Sequence, residues 1–273
     1  MDAETDSELD QMSPMSDLPG GTAFGSLVHS VFEYADPSTD LTSVISSTMG
    51  VGGYLGFTAE DLALALAPGL MTPLGEIADG LTLAQIPLND RLAELDFELP
   101  LSHGSEATTI DGIAEVLSRY LPPDSPLISY PSLLQHDRDP RALRGYLTGS
   151  IDAVLRVNGR FIVVDYKTNR LCAPQTPLTL RHYTLPAMAQ AMMASHYPLQ
   201  ALIYSVALHR FLRWRIPNYD PDHHLGGIAY LFVRGMAGPE TPVRHGTPCG
   251  VFPWKPPSAL IVELSDLFSG VNP

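Results

Sequence analysis

A stretch typical of a β-hairpin brings together two acids and a lysine, Asp152, Asp165 and Lys167. Its turn is Asn158-Gly159, the strongest short sequence signal for a two-residue hairpin turn. With this turn, counting back along both strands places Asp152 directly opposite Asp165. Because side chains alternate along a strand, Asp165 and Lys167 share one face of the hairpin. The sequence therefore predicts a site with two neighbouring carboxylates and an ammonium group.

The proposed pair of carboxylates is unfavourable unless something compensates its charge. Acids directly opposite each other have Cβ atoms roughly 5 Å apart, and at an effective dielectric near 20 their repulsion is about 3 kcal/mol. A hard divalent cation with oxygen ligands would offset this cost and would make the pair a candidate for metal-assisted catalysis. An exposed hairpin face with solvated charges and an ordinary Asp–Lys pair explains the same residues. The local pattern leaves both interpretations open.

The first 90 residues are predicted to contain a leader and helices. Residues 1–20 are polar and acidic, which predicts a disordered leader or tether. From Thr22 the apolar spacing predicts a helix that is capped by Thr22 and contains His29. Gly and Pro recur through residues 38–90, which predicts a small helical insertion with a short helix over residues 59–67. We expect one main domain over residues 21–273.

The rest of the chain alternates between predicted strands and helices. Strict alternation predicts a strand over residues 92–101, and a helix follows over residues 110–117. After the hairpin, Pro198 marks the start of a long helix that begins at Tyr197 and ends near Ile216. An apolar run then predicts a buried strand. This order indicates an α/β fold with a central sheet mixed in direction, flanked by helices and carrying helical elaborations.

Composition indicates a globular protein with a divided charge. The 273 residues are 45% hydrophobic, enough for a full core. Residues 1–100 contain 17 Asp and Glu and one base, a net charge of −16, whereas residues 101–273 carry a net charge of +2. The overall charge of −14 argues against a free-standing nucleic-acid binder, but the hairpin lies in the basic half. Two cysteines, Cys172 and Cys249, are too few for a disulfide framework or a four-cysteine iron–sulfur site.

Several motifs occur in one order along the chain. His29 lies in an early helix, and the hairpin contains Gly149-x-x-Asp152 and Asp165-x-Lys167. Gln200-x-x-x-Tyr204 follows on the long helix. This order resembles the PD-(D/E)XK nuclease superfamily in its RecB-like branch, over about residues 21–250.

The resemblance implies a restriction-endonuclease-like core and Mg²⁺-dependent hydrolysis of DNA phosphodiester bonds. The metal ligands would be His29, Asp152, Asp165 and the carbonyl of Tyr166. Lys167 would orient or activate the attacking water, and Gln200 and Tyr204 would position the substrate strand or Lys167. For these last two, packing of a helix face over the sheet is an alternative role, and both roles are compatible.

The biological setting also follows from the resemblance. It implies a nuclease of the exodeoxyribonuclease V type within a RecBCD-like helicase–nuclease, acting in double-strand break repair and recombination. We expect a cytoplasmic location for the protein because the sequence shows neither a signal-peptide pattern nor a long apolar stretch. Its partners would be DNA strands delivered by a helicase, RecC- and RecD-like subunits and RecA, with no membrane. The chain has no Gly-x-x-x-x-Gly-Lys-Ser/Thr phosphate loop, so we expect no ATPase motor in it.

Two alternative functions remain open from the sequence. The first is a nuclease-like docking module for RecC- or RecA-type partners with little activity of its own, which the absence of a motor and the net charge of −14 favour. The second is a metal hydrolase that uses His223 and His224, although these residues fit a polar loop before a strand. Glu94, Asp96 and Glu98 could add an acid to the site, but an exposed strand face explains them equally well, and we assign them no role.

Overall fold

The fold is a mixed β-sheet with helices on both faces, described here from a computed structural model that covers residues 7–35, 40–49, 56–101, 108–136 and 143–270. The sheet strands, two of which form the predicted hairpin, are β1 (Arg91–Pro100), β2 (Tyr146–Val157), β3 (Arg160–Lys167), β4 (Leu225–Phe232) and β7 (Val251–Trp254). A separate small ribbon contains β5 (Val243–Arg244) and β6 (Thr247–Pro248).

Nine α-helices occur in the described residues. They are α1 (Thr22–Tyr34), α2 (Leu41–Met49), α3 (Ala59–Met71), α4 (Ile110–Tyr120), α5 (Tyr130–His136), α6 (Leu185–Ala194), α7 (Tyr197–Arg215), α8 (Pro221–His224) and α9 (Ser258–Ser269). The long helix α7 has the predicted bounds. The helix α1 begins at Thr22 as expected, but its N-cap is Gly21 and no side chain caps it.

The strand order is β1-β2-β3-β4-β7. The strands β3 and β4 are parallel, and the other neighbours are antiparallel. This confirms the predicted α/β class and the mixed direction of the sheet. The crossover between β3 and β4 contains α6 and α7, which lie on one face of the sheet, as a parallel connection requires.

Two hydrophobic cores lie on opposite faces of the sheet. One contains side chains of α4, α5, α6, α7 and α9, and the other contains side chains of α1, α2 and α3. Side chains of β3 alternate between the two cores: Val163 packs in the first core, whereas Ile162, Val164 and Tyr166 pack in the second. The strand β3 is therefore covered on both sides.

The leader, residues 1–20, was expected to be disordered, but its described part, residues 7–20, packs against the rest of the protein. Met15 is fully buried and Leu18 is 7% exposed. The amide of Ser13 donates to the carbonyl of Leu178 at 2.8 Å. The guanidinium of Arg234 donates to the carbonyls of Met15 and Leu18 at 2.7 and 3.2 Å. Backbone pairing with a distant loop therefore orders a segment whose composition alone predicts a tether, while residues 1–6 lie outside the described residues.

The predicted helical insertion over residues 38–90 contains α2, α3 and three short 3-10 helices within its described part. The helix α3 extends four residues beyond the predicted end at Ala67 and begins with a capping box between Thr58 and Asp61. In the described ranges, no helix is long and apolar enough to cross a membrane.

Candidate active site

The hairpin has the turn and the register that the sequence predicts. Asn158 and Gly159 both have positive φ, at 48° and 80°, as a type I′ turn requires. Cross-strand pairing runs from Val157 and Arg160 to Ala153 and Val164. The next position in this register holds the two acids.

Regular backbone pairing ends where Asp152 begins to make side-chain contacts. Its Oδ2 accepts a hydrogen bond from the amide of Tyr166 at 2.8 Å. On the other side, the pairing of β1 with β2 skips Glu94 and Asp152, and Glu94 has a φ of 48°, a strained conformation for a residue other than Gly. The carboxylate of Asp152 therefore lies at a break in the sheet, as is common next to functional sites.

His29 lies on α1 and reaches this break from the face of the sheet opposite to α7. Its Nδ1 lies 3.3 Å from Asp152 Oδ2, and its ring contacts Tyr166 edge-on at 6.0 Å between centroids. Burial alone lowers the pKa of His29, but the contact with Asp152 outweighs it, so the net pKa is raised. The side chain is thus held beside a carboxylate, with 38% of it still exposed.

Asp165 and Lys167 form the buried part of the site. The Asp165 side chain is 2% exposed, and its Oδ2 lies 2.5 Å from Lys167 Nζ. Burial raises the pKa of Asp165 to about 6, against the opposing effect of Lys167. Among the described residues, no donor other than Lys167 contacts Asp165 Oδ2. The buried carboxylate is therefore paired with an ammonium group.

From α7, Gln200 reaches Lys167 and Tyr204 reaches Gln200. Lys167 Nζ donates to Gln200 Oε1 at 3.4 Å, and Gln200 Nε2 donates to the hydroxyl of Tyr204 at 2.8 Å. The Tyr204 ring packs edge-on against Phe97 at 5.7 Å. The two roles left open for this pair are divided between its members: Gln200 contacts Lys167, whereas Tyr204 contacts Gln200 and packs over the sheet against Phe97.

Part of this site borders an open cleft of about 710 Å³, whereas Asp152, Asp165, Gln200 and Tyr204 are not among the residues that line it. His29, Tyr166 and Lys167 line it, together with Glu94 and Arg170. The guanidinium of Arg170 is held by the carbonyls of Ser16 and Thr176. The leader thus supports one wall of the cleft, which the sequence did not predict.

The imidazole and carboxylate groups of this site are of the types that bind a hard divalent cation, although the side chains would have to move to surround one. His29 Nδ1 and Asp152 Oδ2 are adjacent, and Asp165 contributes a buried carboxylate that is paired with Lys167. Among the described residues, no three His, Cys, Asp or Glu side chains already form a cluster that could hold a metal.

His223 and His224 are not among the residues that line this cleft. His224 packs against Tyr219 at 5.3 Å between ring centroids, and its ring contacts His223. Neither belongs to a metal cluster within the described residues. Glu94, to which the sequence analysis assigned no role, lines the cleft instead. Its proximity depends on the register between β1 and β2 and carries no local sequence signal.

Sequence reasoning also missed Tyr197 and Tyr230. The Tyr197 ring lies 4.1 Å from Lys167 Nζ, measured to its centroid. Its spacing from Gln200 and Tyr204, three and seven residues, places all three on one helix face, so a signal for Tyr197 was present. Tyr230 lies opposite Asp165 in the parallel pairing of β3 with β4, which only the sheet register reveals.

Comparison with known families agrees with this geometry. A model of the PD-(D/E)XK nuclease superfamily matches residues 7–250. The chain therefore belongs to the PD-(D/E)XK nuclease superfamily, whose members typically use divalent metal ions.

Curated relatives share most of this chain but are much longer. The chain is 49% identical over 273 residues to the RecBCD enzyme subunit RecB of Mycolicibacterium smegmatis, covering 97% of this chain and 25% of the relative. It is 33% identical over 256 residues to the RecBCD enzyme subunit RecB of Escherichia coli, covering 93% of this chain and 20% of the relative. The chain thus spans a quarter or less of these relatives.

Proposed function

We propose that this chain hydrolyses DNA phosphodiester bonds with Mg²⁺, using the cleft at the end of the hairpin. The observation that carries the proposal is the convergence of Asp152, Asp165 and Lys167 with His29 at one break in the sheet. Two carboxylates, an imidazole and an ammonium suit phosphoryl transfer, because the reaction needs charge neutralisation and an oriented water.

Each residue has a separate task in this proposal. His29, Asp152, Asp165 and the carbonyl of Tyr166 would hold the metal ion. When bound, Mg²⁺ supplies Lewis-acid polarisation of the phosphoryl oxygen and lowers the pKa of a coordinated water. Lys167 orients the attacking water and offsets phosphate charge, while Gln200 holds Lys167 from α7 and Tyr204 holds Gln200.

The proposed setting is a RecBCD-like helicase–nuclease in DNA repair and recombination, with an exodeoxyribonuclease V type of activity. The support is that the similar proteins are named RecBCD enzyme subunits and that the similarity covers nearly the whole of this chain. We propose RecC- and RecD-like subunits and RecA as partners, and single strands delivered by a helicase as substrate. The net charge of −14 is consistent with weak capture of DNA by the chain alone.

A cleavage assay with isosteric variants tests the catalytic proposal. Purified chain is incubated with single-stranded or duplex DNA, with Mg²⁺ or with EDTA. We expect Mg²⁺-dependent cleavage, faster on single strands, that falls at least about 100-fold in Asp165→Asn because the metal loses a charged ligand. Asp96→Asn on the exposed face of β1 is the matched control and should cleave like the wild type.

Two outcomes would contradict the proposal. Equal cleavage by Asp165→Asn and the wild type would assign the activity to another site or a contaminant. No cleavage by the wild type, together with Mg²⁺ titrations that show no binding lost in Asp165→Asn, would favour the docking module instead. Calorimetric Mg²⁺ titration of both variants provides this second measurement independently of catalysis.

A further inference from the structure

Two tyrosine rings surround the ammonium group of Lys167. Nζ lies 4.1 Å from the centroid of the Tyr197 ring and 5.3 Å from that of Tyr230. The two rings are stacked on each other, 5.7 Å apart with an interplanar angle of 20°. Tyr230 is fully buried, whereas Tyr197 lines the cleft. The ammonium of Lys167 therefore contacts an aromatic ring beside the cleft, which both Lys167 and Tyr197 line.

The hydroxyl of Tyr230 ties this aromatic pair to α7. It is within hydrogen-bond distance of the carbonyl of Tyr197 at 3.1 Å and of Gln200 Oε1 at 3.0 Å. The same Oε1 accepts from Lys167 Nζ. One buried hydroxyl thus sets both the start of the helix and the amide oxygen that Lys167 uses.

A lysine needs such restraint more than most side chains do. Its ammonium is a compact charge on a flexible four-carbon stem, which costs rotamer entropy to hold in one place. The Lys167 side chain is only 12% exposed, so water supplies little of its solvation. Asp165 and Gln200 replace part of that water, and the Tyr197 ring adds the attraction between the cation and the negative face of the ring.

We propose that Tyr197 and Tyr230 are positioning residues for Lys167, Tyr197 through a cation–π contact and Tyr230 through its hydrogen bond to Gln200. The inference rests on the proposed function for its effect on cleavage. The geometry itself is independent of that function.

Substitutions at position 197 separate the cation–π contact from packing. We expect Tyr197→Phe to cleave within about twofold of the wild type, and Tyr197→Leu to lower kcat about five- to thirtyfold with little change in KM. Replacement of Tyr197 by phenylalanine with one, two or three fluorines should lower kcat stepwise, because fluorine weakens the negative face and barely changes the ring volume. The same series at Tyr219, whose ring lies against His209 instead, is the matched control and should leave kcat flat. A flat series at position 197 would overturn the proposal.

A spectroscopic measurement tests the same contact without catalysis. Ring currents should shift the ε-methylene protons of Lys167 upfield in the intact wild-type chain, and Tyr197→Leu should remove most of that shift. Tyr230→Phe should alter it partially, since Gln200 loses a partner. If the wild type shows an ordinary lysine shift, the positioning role is refuted even if cleavage is normal. If the shift is present and cleavage is absent, the positioning role stands and the proposed function fails.

Discussion

Arg234 offers the clearest quantitative test of how the leader is attached. Its side chain is 1% exposed and lies over the Phe24 ring at 5.1 Å. Its guanidinium donates to four carbonyls, those of Met15, Leu18, Pro19 and Thr168. The perturbation is Arg234→Lys, which keeps the charge and removes the planar fork of donors.

The magnitude follows from counting donors. A lysine ammonium has three donors on one nitrogen, so at least one of the four carbonyls must lose its partner. An unsatisfied buried acceptor costs about 1–3 kcal/mol, and losing the flat contact with Phe24 adds about 0.5–1 kcal/mol. We expect Arg234→Lys to lower the free energy of unfolding by about 2–4 kcal/mol, which at about 2–4 °C per kcal/mol lowers Tm by roughly 4–16 °C.

Thermal unfolding and amide hydrogen exchange measure this effect. The Ser13 amide, bonded to the carbonyl of Leu178, should exchange faster in Arg234→Lys because the leader opens more readily. Arg156→Lys is the matched control, since Arg156 is 52% exposed and pairs with Asp90 at the surface, where such pairs contribute under about 1 kcal/mol. Unchanged Tm and unchanged protection of the Ser13 amide in Arg234→Lys would refute the reasoning. An equal decrease in Tm in Arg234→Lys and Arg156→Lys would show that the buried hydrogen bonds of Arg234 contribute no more than a surface ion pair.

Two other predictions concern stability away from the metal ligands. Burial, aided by Arg213, lowers the pKa of His209 from 6.5 to about 4. The fold therefore favours neutral His209, and its stability is full above about pH 6.5 and falls as the pH drops toward 4, by up to about 3 kcal/mol. Urea unfolding across this range should show the loss, and His209→Gln should flatten it; an unchanged profile in that variant would contradict the assignment. Gly149→Ala places a Cβ 2.9 Å from the Phe97 ring and should cost about 1–3 kcal/mol in urea unfolding, whereas Gly20→Ala, with nothing within 4 Å, should cost little. Equal costs for both would reject the steric argument.

Features that depend on near neighbours in sequence were predictable. The Asn158-Gly159 turn fixes the hairpin register because two residues with positive φ leave one way to pair the strands. The bounds of α7 follow from Pro198 and from the apolar spacing after it. Helix α6 was missed because its segment follows a loop with several prolines and has weak amphipathic contrast.

Features that depend on distant pairing were not predictable. The leader carries the composition of a tether, yet Arg234, more than 200 residues away, fixes it through backbone carbonyls. Hydrogen bonds to carbonyls are independent of side-chain identity, so the leader sequence contains no signal for them. The place of Glu94 in the cleft likewise depends on the pairing of β1 with β2.

The sequence by itself determined that Asp152, Asp165 and Lys167 would meet on a hairpin, since strand alternation and turn chemistry are local rules. It also indicated the class of protein, because four motifs in one order specify a family. Only the tertiary structure decided how Lys167 is held, by Asp165, Gln200 and two tyrosine rings from another strand and helix. The physical reason is that cation–π contacts, ion pairs and buried hydrogen bonds act across space, and the sheet register that creates them is set by packing on both faces at once.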